Sequence, residues 1–143
     1  MVKCEICAVN IQSALNAQLA GAHRIELCSA LDVGGLTPSP GLIRAAVRQL
    51  HIPVNVLIRP REGDFTYSEQ EFEVMLDDIR FCREEGVNGV VVGALDHLME
   101  LDAEKMLAMK VVAGDMEIVC HRAFDYTLDP EQALESLVKW GYK

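Results

Sequence analysis

A short apolar strand pattern followed by a chemically marked helix start recurs five times along this chain, and that alternation limits the possible folds more than any other feature. Residues 3–9, 24–28, 54–58, 89–93 and 116–121 read as strands. Asn10 stands before a helix over 11–20 that stops at Gly21, and Ser39-Pro40 opens one to about Leu50. Ser68-Glu69-Gln70-Glu71 is a capping box opening a helix to about Glu85, Asp102 precedes one stopped near Gly114, and Asp129-Pro130 opens the last, ended by Gly141. Short polar side chains at these positions accept hydrogen bonds from N–H groups that the first turn leaves unpaired. Proline just inside the start removes a donor the helix does not use. Strands alternating in this way with helices imply a parallel sheet with helices packed on it.

Five such units fit two architectures: an open doubly wound sheet, or part of an eight-stranded βα barrel, which takes about 250 residues when complete. Strand parity separates them, because successive side chains point to opposite faces. Glu5 and Cys7 share one face, with Cys4, Ile6 and Ala8 on the other. Glu26 and Cys28 lie opposite Ile25 and Leu27; Asn55, Leu57 and Arg59 lie opposite Val54, Val56 and Ile58; Glu117, Val119 and His121 lie opposite Ile118 and Cys120. One face is apolar, and the other gathers polar groups toward the strand ends. A parallel sheet covered by helices on both faces reads as almost wholly apolar, whereas a barrel has an interior that opens into a mouth at the C-terminal ends of its strands. The expected fold is therefore an incomplete TIM-type (β/α) barrel, one partial domain over residues 1–143, with the open five-stranded parallel sheet as the alternative.

The composition agrees with a globular domain: half of the 143 residues are hydrophobic and the formal net charge is −9. An acidic chain has no general attraction for nucleic acid or an anionic membrane. Glu5 interrupts any apolar leader, and no run approaches a membrane span, so a cytoplasmic protein is expected. Five cysteines, an odd number, read as free thiols rather than a disulfide framework.

The presumed inner face collects Glu5, Cys7, Glu26, Cys28, Arg59 and His121, and the loop after the third strand adds Arg61 and Asp64. Buried charges must pair, so the two carboxylates are expected to balance Arg59 and the histidine, either as a structural ion-pair network or as a polar pocket. Cys4-x-x-Cys7 is no metal clamp, because residues three apart on a strand face opposite ways. Cys7 and Cys28 share a face on adjacent strands, and two soft thiolates without a tetrahedral ligand set suit Cu(I); the alternative is that both are small buried apolar residues. Gly34-Gly35 before the second helix allows backbone donors to approach an anion, or makes a plain turn. Arg59 and Arg61 can fork onto phosphate or carboxylate, or onto acids of the same chain. His121 is the one histidine expected at the mouth, while His23, His51 and His97 read as loop or surface positions. Met75, Met99, Met106 and Met109 are expected as core filler, and Trp140 as cover for the end of the last helix.

Taken together, these stretches resemble the copper homeostasis protein (CutC) family. The resemblance rests on Glu5-Ile6-Cys7, the run from Gly21 to Cys28, Gly34 to Ser39, Ile58-Arg59-Pro60-Arg61 with Gly63-Asp64-Phe65, Tyr67-Ser68, and the run from His121 to Asp125. It implies a βα barrel, a cytoplasmic protein linked to copper handling, copper as the metal, and Cys7 and Cys28 as its ligands. Glu62 stands where the family usually has Gly, and Val119-Cys120 replace the more usual Thr and Phe. Against a complete barrel the chain is short, which implies a fragment of a longer protein, or a homo-oligomer if the chain is complete. The competing function is a barrel enzyme acting on a small anionic metabolite. In it Arg59 and Arg61 hold the anion, Glu5 or Glu26 is the general base, and His121 is the acid or electrophile.

Overall fold

The computed structural model of the chain describes residues 2–143. Five strands, β1 (Glu5–Ala8), β2 (Arg24–Leu27), β3 (Val54–Leu57), β4 (Gly89–Val92) and β5 (Glu117–Cys120), alternate with five helices. These are α1 (Ile11–Leu19), α2 (Pro40–Gln49), α3 (Glu69–Glu84), α4 (Ala103–Ala113) and α5 (Pro130–Trp140). The strands are parallel and hydrogen-bond in chain order, β1 through β5. Right-handed crossovers that always step the same way put every helix on one face. A doubly wound sheet must reverse its direction of growth to cover both faces, so this strand order sets the open-sheet alternative aside in favour of the barrel type.

The helix starts have the expected chemistry. Asn10 Oδ1 accepts from the Ser13 N–H at 2.8 Å, and Ser39 Oγ accepts from the Leu42 N–H at 3.2 Å. Ser68 and Glu71 form the reciprocal capping box, while Asp102 and Asp129 cap α4 and α5. Two short 3-10 turns, Leu31–Val33 and Arg122–Tyr126, have no counterpart in the sequence pattern.

The core lies between the sheet and its helices. Ile25, Leu27, Val54, Val56, Ile58, Val90, Val92 and Ile118 are buried on the helix side of the strands, against Ile43, Met75, Ile79, Met106 and Met109. Each buried side chain of this size contributes about 1.5–3 kcal/mol relative to exposure. Met99 departs from the core role expected of it: it is 38% exposed and adopts a φ of +60° in the loop before α4. Trp140 packs half-buried against the core at the end of α5, as expected.

The inner face is built in rows by the register. Cys7, Glu26, Asn55, Gly89 and Glu117 stand side by side across the five strands. The next row toward the C-terminal ends is apolar, with Leu57, Val91 and Val119 in register and Cys28 packed against them. Arg59, Gly93 and His121 follow two residues later. At the edges of the sheet, β1 and β5 each pair with one strand among the described residues, and the Lys143 N–H donates to the Ile118 carbonyl at 2.9 Å. No helix among the described residues is long and apolar enough to cross a membrane.

Gly89 is the tightest point of the lower row. A Cβ there would lie 2.5 Å from Asn55 Oδ1 and 3.0 Å from the Glu117 carbonyl. Gly89→Ala is expected to cost about 1–3 kcal/mol through overpacking, read as a lower urea midpoint. Gly41→Ala in α2, where the nearest atom would be 4.0 Å away, is expected to leave the midpoint unchanged or raise it, since alanine in a helix is favoured by roughly 0.5–1 kcal/mol. Equal effects at the two positions would contradict the register described above.

Candidate functional site

A cavity of about 600 Å³ opens on the inner face, and Glu5, Cys7, Glu26, Cys28, Arg59 and His121 all line it. Its walls differ in charge. The wall formed by β1 and β2 is acidic and carries the thiols; the wall formed by the ends of β3 and β5 is basic.

On the acidic wall, Glu5 pairs with Arg24, its register partner on β2, and accepts a hydrogen bond from Asn55 Nδ2 at 3.0 Å. Arg24 also reaches Glu117 of β5 at 3.7 Å. This corrects the expected charge balance, because Arg24, not Arg59, neutralises Glu5. The Glu26 carboxylate makes no hydrogen bond or ion pair among the described residues. Burial, reinforced by the Glu5 charge and opposed by Arg24, pushes its carboxyl up to about 6. Cys7 stands opposite Glu26 and is exposed, whereas Cys28 is buried one row higher, so the two thiols share a face diagonally rather than abreast. Cys28 Sγ donates weakly to the Ala8 carbonyl at 3.8 Å. Desolvation first, and then the neighbouring acidic groups, raise both thiols, Cys28 to about 11. Both therefore keep their protons at neutral pH. Among the described residues, no three His, Cys, Asp or Glu side chains converge as a metal-holding group.

On the basic wall, Arg59 is buried and bonded to carbonyls rather than carboxylates. Its Nη1 donates to Val33 O at 2.9 Å and Gly35 O at 3.0 Å, and its Nη2 donates to Gly63 O at 2.9 Å. Phe65 lies under both functional groups, 5.1 Å from the Arg59 guanidinium and 5.0 Å from the His121 ring. His121 Nδ1 accepts from the Ala123 N–H at 3.1 Å, which leaves the proton of the neutral ring on Nε2. That Nε2 is buried without a partner. Burial and the positive charges of Arg59 and Arg122 push the imidazole down to about 4, so it is a neutral donor across the physiological range. Gly93 makes room for the ring, since a Cβ there would lie 2.5 Å from His121 Cε1.

Two expected anion donors are otherwise engaged. The Gly34 and Gly35 N–H groups donate to the Leu31 and Ala30 carbonyls at 3.0 Å, closing the turn rather than facing the cavity. Arg61 is tied to Glu71, Asp64 and the Thr66 carbonyl, and braces its own loop away from the cavity lining. It draws the Glu71 carboxyl down to about 2. His23, His51 and His97 are exposed, as expected.

Sequence reasoning gave no role to Arg24, Asn55 or Arg122, although it placed Asn55 on the face of Arg59. Arg24 could have been found, because it shares parity with Glu26 and Cys28. Arg122 could not, because it comes back over the cavity only through the 3-10 turn that follows β5.

The comparisons agree with this architecture. The CutC family model matches residues 2–143. A family protein CutC from Mesorhizobium japonicum is 48% identical over 135 residues, 94% of this chain and 52% of that protein. The human copper homeostasis protein cutC homolog is 44% identical over 139 residues, 97% of this chain and 51% of that one. The crystal structure of a CutC protein from Streptococcus agalactiae superposes with a TM-score of 0.95 at 34% identity, over 100% of this chain and 70% of that one. The chain spans about half the length of the curated relatives it matches.

Glu26 provides a direct test of the acidic wall. Its folded-state pKa is raised from 4.5 to about 6, so its stabilising contribution is complete below pH 4.5 and is lost as pH rises through about 6. Glu26→Gln removes that loss. The variant is expected to match the parent in acid and to exceed its urea midpoint at neutral pH. A parent more stable than the variant at neutral pH would mean that Glu26 is bonded within the wall.

Proposed function

The chain belongs to the CutC family, whose human member is named a copper homeostasis protein, and from that premise we propose that it binds Cu(I) as cargo through Cys7 and Cys28. The reading is supported above all by one observation: two free thiols, on neighbouring strands, line a single cavity beside the unpaired Glu26 carboxylate. Cu(I) is soft and monovalent and accepts thiolate ligands in low coordination numbers. Two thiols satisfy it where a hard divalent ion would need a fuller oxygen shell. The Glu26 charge draws a cation to this wall. Each thiol gives up its proton when it binds the metal. All five cysteines are free, which suits a cytoplasmic, reducing setting.

The raised thiol pKa values make the affinity depend on pH with a definite sign. Two protons are displaced, so below both pKa values the affinity rises by up to about 100-fold per pH unit. A Cu(I) competition titration of the full-length protein at several pH values is expected to show that rise. Cys7→Ser with Cys28→Ser is expected to lose at least about 100-fold in affinity, while Cys4→Ser keeps the parent value. Equal affinity in the parent and the double variant would overturn the proposal.

A further inference from the structure

The basic wall of the cavity has no role in holding a cation, and its charges are not balanced from within. Arg59 and Arg122 both crowd Gly34, where a Cβ would meet Arg122 Nη1 at 3.0 Å and Arg59 Nη1 at 3.2 Å. Two guanidinium groups thus flank one point, and neither forms an ion pair among the described residues, in a chain of net charge −9. Asp125 also lines the cavity, yet forms no ion pair with either guanidinium among the described residues. Arg59 is only 6% exposed and its guanidinium lies beside the Tyr67 hydroxyl, while the Nε2 of His121 is buried without a partner among the described residues. Like charges brought together repel, and a buried donor without a partner costs free energy unless something accepts from it. A bound anion removes both penalties at once.

We propose that Arg59, Arg122 and His121 form a binding site for an oxyanion, the phosphate or carboxylate group of a small metabolite. Guanidinium forks match the paired oxygens of either group, and the neutral imidazole adds one N–H donor. The cavity, about 600 Å³, lies within the ~300–1,000 Å³ range of small-molecule sites. The site stands apart from Cys7, because the row of Leu57, Val91 and Val119, into which Cys28 packs, lies between them. Phe65 holds Arg59 and His121 from below, so the donors are positioned before the ligand arrives.

The test is calorimetric titration of the full-length protein with inorganic phosphate and, separately, with malonate, each against chloride at matched ionic strength. Saturable binding of either probe is expected, and the tighter one identifies the group recognised. Arg122→Gln removes an exposed side chain that makes no hydrogen bond in the fold, and is expected to weaken binding at least tenfold without lowering the thermal midpoint. Arg59→Lys, which keeps the charge but loses the fork, is expected to weaken it as well. Cys7→Ser, at the exposed thiol one row further down, is expected to leave anion binding unchanged, which keeps this outcome separate from that of the copper titration. Absence of saturable binding for both probes, or parent-like binding by Arg122→Gln, would overturn the proposal.

Discussion

The parallel register of five four-residue strands is the constraint on which the cavity depends. In a parallel ladder each residue has a fixed neighbour, so alternation within one strand becomes a row across all five. Cys7, Glu26, Asn55, Gly89 and Glu117 form one such row. A slip of one residue in any strand would turn its polar side chains into the helix-packed core and expose valines in their place. The apolar burial of Ile25, Val56, Val90 and Ile118 therefore holds the polar groups of the inner face in position.

Electrostatics then divide that face. Glu5 is neutralised by Arg24 and accepts a hydrogen bond from Asn55, so its charge is met within the wall. Glu26 and the two thiols have raised pKa values; the thiols keep their protons at neutral pH, while the Glu26 carboxyl loses its own above about 6. Across the apolar middle row, Arg59 and Arg122 depress the His121 imidazole and leave it a neutral donor. One cavity thus has an acidic side and a basic side. The family relationship, with its named link to copper homeostasis, bears on the first side. On the second side Arg59 and His121 are legible in the sequence, and the fold adds Arg122.

Much of this was legible in advance, for local reasons. Helix starts were readable because capping is a contact between a side chain and a backbone group three residues away, as at Asn10, Ser39 and Ser68. The inner and outer faces were readable because side-chain alternation is a property of the strand itself. The errors were of two kinds, one long-range and two at local turns. Arg59 was expected to meet the carboxylates and instead bonds to carbonyls of two loops. Gly34 and Gly35 were expected to present N–H groups to an anion and instead close a turn, since the 3-10 segment after Ala30 accepts those bonds first. Met99 was expected in the core and lies at a loop turn, because thioether spacing does not distinguish a helix from the loop that precedes one.

The sequence by itself determined the five βα units, the face each strand residue occupies and the family to which the chain is similar, because each rests on short-range geometry or on motifs read in order. Only the tertiary structure decided the strand order, which separates a barrel from an open sheet, since that order records contacts between residues far apart in the chain. It also decided which charge meets which. Arg24 is 19 positions from the Glu5 it neutralises, as Cys4 is from the His23 that accepts its N–H. Arg122 reaches the cavity only because a turn after β5 folds it back over Gly34. Pairing of this kind depends on distances through space, which periodicity along a chain does not encode.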